Sequence, residues 1–96
     1  MSESTLVILP PGEDLAVLER VVVAPSRGMF SPLAPEVVTA EGELVRAGQA
    51  IGTIAGSGTT VDVLSPFTGF LMGMLADEGE RVREGEPVAW LRVVGA

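Results

Sequence analysis

The sequence repeats itself. Pro25 and Gly28 recur as Pro66 and Gly69, 41 positions on (66 − 25). Gly42, Val45, Arg46, Gly48 and Ile54 recur as Gly79, Val82, Arg83, Gly85 and Leu91, 37 positions on (79 − 42). The difference of four residues is an insertion in the Pro-containing loop over residues 31–40. Apolar positions and glycines that recur together, in order, mark two copies of one unit, residues 21–54 and 61–93. Each copy is made of short β-branched or apolar runs, such as Val21-Val22-Val23-Ala24 and Val61-Asp62-Val63-Leu64, set between Gly and Pro. Two such units cannot bury their apolar faces alone. They must close on each other as an all-β sandwich or barrel with approximate two-fold symmetry.

The halves meet at Ile54-Ala55-Gly56-Ser57-Gly58-Thr59-Thr60-Val61-Asp62-Val63, two apolar runs flanking a Gly, Ser and Thr tip. That composition predicts a tight hairpin reversal. The Glu-Gly-Glu and Arg-x-Gly turns (Glu41 to Gly48, Glu78 to Gly85) place glycine where the chain needs a positive φ, with charges that keep the turns in water. Phe70 to Leu75 and Val88 to Leu91 are apolar at successive positions, which predicts strands covered on both faces. Phe30, Phe67, Phe70 and Trp90 are assigned to the core rather than to a ligand platform. Residues 1–20 form an N-terminal extension. Leu6-Val7-Ile8-Leu9 has the composition of a short strand ended by Pro10-Pro11-Gly12, and residues 13–20 fit helical and alternating patterns equally. The extension is expected to cover a sheet edge or to pair with another subunit, giving a homo-oligomer.

Composition narrows the chemistry. The chain has no Cys, His, Tyr or Lys; all six basic residues are arginines (Arg20, Arg27, Arg46, Arg81, Arg83, Arg92). This removes the common base near neutral pH, thiol nucleophiles and Schiff-base chemistry. Thirteen acidic residues against six basic give a net charge of −7, which disfavours nucleic acid and anionic membranes as partners. The first five residues carry no basic region, the apolar run after them is too short for a signal peptide, and no run has the length of a membrane span. A cytoplasmic location is expected. The acidic turns (Glu41, Glu43, Asp77, Glu78, Glu80, Glu84, Glu86) lack the spacing of a hard-cation loop, so no metal site is expected.

The duplicated V-x-x-P-x-x-G … E-G-x-x-V-x-x-G pattern, over residues 21–93, resembles the lipoyl and biotinyl carrier domains. The resemblance implies a flattened barrel, a barrel-sandwich hybrid of two four-stranded sheets over residues 21–94, with a cofactor-bearing lysine at the tip of the central hairpin. The lipoyl domains of 2-oxoacid dehydrogenase acyltransferases are the more similar branch. They read Asp-Lys-Ala-Thr and then Val-Glu-Val-x-Ser-Pro-x-x-Gly, and Thr60-Val61-Asp62-Val63-Leu64-Ser65-Pro66-Phe67-Thr68-Gly69 follows that continuation. Ser57 then stands at the family's Asp, Gly58 at its Lys and Thr59 at its Ala. Lipoate and biotin are attached through a lysine amine, so no cofactor is expected on this chain.

What the resemblance implies without the lysine is a docking or structural subunit for a partner enzyme, an acyltransferase of the 2-oxoacid dehydrogenase type. Its contact surface is expected at Ala55, Gly56, Ser57, Gly58, Thr59, Thr60 and Asp62, with acidic turns beside them. A second reading is a small stand-alone enzyme using Ser57, Thr59, Thr60 and Asp62, although each hydroxyl is also an ordinary turn or strand residue. A third, the adaptor type of barrel found in efflux systems, requires a helical hairpin at the tip that this sequence lacks. A degenerate carrier with no retained role is the fourth.

Overall fold

The computed structural model describes residues 18–93. Nine strands follow in order: β1 (Leu18–Val23), β2 (Gly28–Pro32), β3 (Val37–Thr39), β4 (Gly42–Val45), β5 (Ala50–Gly56), β6 (Thr59–Leu64), β7 (Gly69–Met74), β8 (Arg81–Val82) and β9 (Pro87–Val93). One sheet has the order β1-β9-β7-β4-β3 and the other β6-β5-β2-β8, and every pairing is antiparallel.

The repeat is visible in this topology. A shift of 41 carries Leu18–Val23 onto Thr59–Leu64, and a shift of 37 carries Ala50–Gly56 onto Pro87–Val93. Applied to the sheet order β1-β9-β7-β4, the two shifts return β6-β5-β2-β8, the order of the other sheet. The internal two-fold therefore exchanges the sheets, and each sheet takes strands from both halves. The pairings agree residue by residue: Trp90↔Val21 and Leu91↔Arg20 in one sheet match Thr53↔Asp62 and Ile54↔Val61 in the other. The register shift at Pro87/Ala89 recurs at Ala50/Gly52, so the bend that a bulge gives a strand is duplicated too.

Loops repeat as closely. The Ala24 N–H donates to the Glu86 carbonyl at 2.8 Å, and the Ser65 N–H donates to that of Gln49 at 2.9 Å. Glu86 Oε1 accepts the Arg83 N–H and Gln49 Oε1 the Arg46 N–H, both at 2.9 Å. The core is filled by matched residues, Val22 with Val63, Val45 with Val82, Ile51 with Val88 and Ile54 with Leu91, all buried around Phe30. Each such side chain contributes about 1.5–3 kcal/mol by leaving water. Buried Ser65 is satisfied locally: its hydroxyl donates to the Phe67 carbonyl at 2.7 Å and accepts the Phe67 N–H at 3.1 Å.

Three sequence expectations are corrected. The flattened barrel stands, but one sheet has five strands among the described residues rather than four. The extra strand, Val37–Thr39, lies within the stretch read as a loop, where the insertion is long enough to fold back and pair Val37↔Leu44 and Thr39↔Gly42. Strands β7 and β9 are not covered on both faces: Met72 and Met74 are exposed and Trp90 is only half-buried. Trp90 and Phe70 accordingly belong to the outer face and not to the core, while Phe30 is fully buried and Phe67 packs against the core from its edge. The first strand also starts at Leu18, inside the stretch assigned to the extension, because Leu18, Glu19 and Arg20 pair with Val93, Arg92 and Leu91. The remainder of the extension lies outside the described residues.

Gly28 and Gly69, equivalent in the repeat, each sit where backbone crowds the missing side chain: a Cβ would strike the Ala55 carbonyl at Gly28 and the Arg92 carbonyl at Gly69. Gly73 has only the Trp90 ring, at an ordinary 3.7 Å. In urea denaturation, Gly28→Ala and Gly69→Ala should each lose about 2 kcal/mol or more. Gly73→Ala should stay within about 0.5 kcal/mol of the parent chain.

Candidate functional site

The central hairpin is the most prominent feature of one end of the barrel. Strands β5 and β6 pair from Ala50↔Leu64 up to Gly56↔Thr59, leaving a two-residue turn of Ser57 and Gly58. Both have positive φ, +48° and +78°, the pattern of a type I′ turn, whose twist suits the strands it joins. The Thr59 hydroxyl closes it by donating to the Gly56 carbonyl at 3.2 Å. This end also holds Val23 and Pro87, whereas Leu18 pairs with Val93 at the far end of the same strands. The hairpin tip thus lies opposite the chain's entry to and exit from the barrel.

The residues singled out from sequence divide between two faces. Ala55, Thr60 and Asp62 are exposed on the outer face of the four-stranded sheet, where Ala55 pairs with Thr60 and Asp62 with Thr53. Gly56, Ser57 and Thr59 line a recess on the other side, against Ser26 and Arg27. Gly58 is at the apex, exposed, with no described residue beyond its chain neighbours within 4 Å of where its Cβ would be. These side chains divide between two faces: Thr59 is engaged with the Gly56 carbonyl on the recess side, and Thr60 and Asp62 share the opposite, outer face.

Sequence reasoning missed the charge beside the tip. An open concavity of about 1090 Å³ is lined by Gly56 and Ser57 together with Arg27, Arg81, Arg83, Glu84 and Glu86. Half of the chain's arginines therefore meet here. Among the described acidic turns, the one carrying Glu84 and Glu86 shares this concavity with the tip. Glu78 and Glu80 lie elsewhere and serve the framework, Glu78 Oε2 accepting the Ser31 hydroxyl at 2.8 Å and Glu80 Oε1 the Asp77 N–H at 2.9 Å. Glu41 accepts the Thr39 hydroxyl at 3.3 Å beside the added strand. The repeat register could have revealed the arginines, since it places the turns after Pro25 and after Val82 at the hairpin's end of the barrel.

A cofactor held through an amide needs a primary amine. Gly58 has no side chain and the 96 residues contain no lysine, so the residues present do not fit a lysine-attached biotin or lipoate. Among the described residues no helix is long and apolar enough to cross a membrane.

A biotin/lipoyl family model, described as biotin-requiring enzyme, matches residues 20–91, three quarters of the chain. Among solved structures, the urea carboxylase of Kluyveromyces lactis is similar at a TM-score of 0.65 and 24% identity over 88% of this chain. A single-chain, multi-domain long-chain acyl-CoA carboxylase is similar at a TM-score of 0.65 and 20% identity over 95% of it. At these identities the likeness is one of fold, and the chain spans only 7% and 8% of the two carboxylases. No curated protein sequence matches.

The turn geometry predicts the effect of substitutions at the apex. Ser57→Asn, giving the Asn-Gly pair preferred in type I′ turns, should raise stability by about 0.5 kcal/mol. Gly58→Ala should lower it by about 1 kcal/mol through its left-handed backbone alone. Thermal unfolding of the two variants beside the parent chain checks both signs.

Proposed function

The chain belongs to the biotin/lipoyl family, and we propose that it serves there as a docking or structural subunit that carries no cofactor of its own. The observation behind this reading is an intact hairpin tip whose apex is Gly58, in a chain without any lysine amine. The barrel that presents a swinging arm is kept, and the arm's attachment point is gone. What remains for the tip is contact.

On this reading a partner enzyme in the cytoplasm seats against Ala55, Gly56, Ser57, Gly58, Thr59, Thr60 and Asp62. An acyltransferase of the 2-oxoacid dehydrogenase type is the first choice, supported by the lipoyl-like run from Thr60 to Gly69. A biotin-dependent carboxylase is the second, favoured by the fold shared with the two carboxylases. Arg27, Arg81 and Arg83 offer a partner's carboxylates planar, bidentate donors at the rim, and Glu84 and Glu86 alternate with them. Such rim charges set encounter rate and choice of partner more than final affinity, and their effect fades as salt rises. A stand-alone enzyme is the weaker reading, since the tip hydroxyls are split between two faces and the chain has no His, Cys, Lys or Tyr to serve beside Asp62.

The test is co-purification of the full chain with separately encoded acyltransferase and carboxylase components. A complex is expected with one of them, weakened about tenfold when Thr60→Arg and Asp62→Arg are combined. Arg27→Gln, Arg81→Gln and Arg83→Gln together should slow association and flatten its salt dependence. Turnover of a small substrate by the purified chain alone, or no complex with either class of enzyme, contradicts the proposal.

Modification gives a second test. Co-expression with lipoyl and biotinyl ligases should leave the intact mass of the parent chain unchanged, and Gly58→Lys should become lipoylated because the Thr60 to Gly69 context is in place. A folded Gly58→Lys chain that stays unmodified would remove the support for a lipoyl-type tip.

A further inference from the structure

The internal two-fold supplies a control for every sheet edge, and one edge fails it. A shift of 37 (79 − 42) carries Gly42–Val45 onto residues 79–82, so β8 is the counterpart of β4. Strand β4 lies between β7 and β3, pairing Val37↔Leu44, Val38↔Glu43 and Thr39↔Gly42 on its outer side. Among the described residues β8 pairs with β2 alone, through Gly28↔Val82 and Met29↔Arg81. The difference shows in length and exposure. The covered strand runs for four residues and the uncovered one for two, and Gly79 and Arg81 are exposed where Gly42 and Leu44 are half-buried. The ladder also decides which groups face outward. The Phe30 N–H donates to the Glu80 carbonyl and the Phe30 carbonyl accepts the Gly79 N–H, both at 2.8 Å. Alternation along an antiparallel pair then turns the Arg81 N–H and C=O away from Met29, to the open side.

We propose that this edge receives an extended acidic segment of a partner protein, added antiparallel to β8 in the place that β3 holds beside β4. Main-chain hydrogen bonds along the edge supply affinity and the side chains on either hand supply choice. Room exists for the segment: the open concavity of about 1090 Å³ is lined by Arg81, Val82 and Arg83 and reaches Gly56 and Ser57 at the hairpin tip. The duplicate supplies the register, with one segment residue opposite Arg81 as Val37 is opposite Leu44. Replacing Leu44 by Arg81 at this position turns an apolar cross-strand pair into one that selects a carboxylate. Arg27, also in the concavity, corresponds to Thr68 in the repeat (68 − 27 = 41). The Thr68 hydroxyl is committed to the framework, accepting the Ala47 N–H at 3.0 Å, whereas Arg27 is exposed. Glu86 is held within its own turn by the Arg83 N–H, which leaves Glu84 against three guanidinium groups. A second copy of the chain is disfavoured as occupant, because antiparallel pairing of two β8 edges would set Arg81 and Arg83 against the same residues of the copy. The inference rests on the reading of the chain as a docking subunit and adds the form and charge of what docks.

Two capped peptides serve as probes, one alternating Glu with Val and Thr, the other carrying Lys in place of every Glu. Each is titrated to millimolar concentration into the isotope-labelled full chain, and amide chemical shifts and hydrogen exchange are recorded. The acidic peptide should shift the amides from Gly79 to Arg83 and slow exchange at Arg81, and the basic peptide should leave them unmoved. Combining Arg81→Gln and Arg83→Gln should weaken binding of the acidic peptide about fivefold or more. Arg81→Pro removes the outward N–H and should abolish binding while the shifts of β5 and β6 stay as in the parent chain; where the proline unsettles the barrel, the Gln pair decides. An equal response to both peptides, no response to either, or an equal response to inorganic phosphate overturns the proposal. Slow exchange of the Arg81 amide in the parent chain alone also overturns it, since the edge would then be covered already. A partner enzyme that binds at Thr60 and Asp62 without displacing the acidic peptide overturns it too and leaves the docking reading in place. Binding of the acidic peptide by a chain that forms no complex with either class of enzyme supports the edge site and contradicts only the choice of enzymes.

Discussion

Exchange of strands between the two halves is the constraint on which the rest of the molecule depends. Among the described residues, strand β1 pairs only with β9, and β6 only with β5. Each of these pairs joins one half of the repeat to the other. A single half could form only the β2–β5 and β3–β4 pairs, or only β7–β9, and none of these closes a core. The buried set, Val22 and Val63 against Ile54 and Leu91 around Phe30, exists only when both halves are present. Glycine at positions 28 and 69 lets the chain pass close to a neighbouring strand's carbonyl at the two equivalent crossings.

The framework was legible because duplication tests itself. A single Pro-x-x-Gly is weak evidence, but two copies with the same spacing to Val45 and Val82 specify both the turns and the strands between them. What the repeat did not contain was harder to read. Val37–Thr39 falls in the four-residue insertion, has no counterpart in the other half, and lies just after Pro32 and Pro35, which disguise a strand. The covering of β7 and β9 was misjudged for a different reason. An apolar run shows that a strand tolerates burial, while actual burial depends on what lies over each face, and here Met72 and Met74 are exposed and Trp90 is only half-buried.

The site was legible in part. Gly58 in the reversal follows from the local sequence, as glycine suits the positive φ found there, whereas the positive φ of Ser57 does not. The arginines beside it do not, because Arg27 comes from a loop after β1 and Arg81 and Arg83 from around β8, more than fifty residues later. The acidic residues misled in the opposite sense. Glu80 and Glu86 accept backbone N–H groups within their own turns and Glu78 accepts the Ser31 hydroxyl from another strand, so their number says little about the charge a partner would meet. The family's barrel has thus been retained around a tip that offers shape and mixed charge in place of a reactive amine.

If the two halves form one interlocked unit, severing them at the tip tests the account most directly. Residues 1–57 and 58–96 would be produced separately and followed by circular dichroism and amide exchange, alone and mixed. The account predicts no cooperative unfolding and no protected amides for either piece alone, and recovery of a cooperative transition on mixing at equal concentration. Cooperative unfolding of either piece alone, as a monomer, would contradict it.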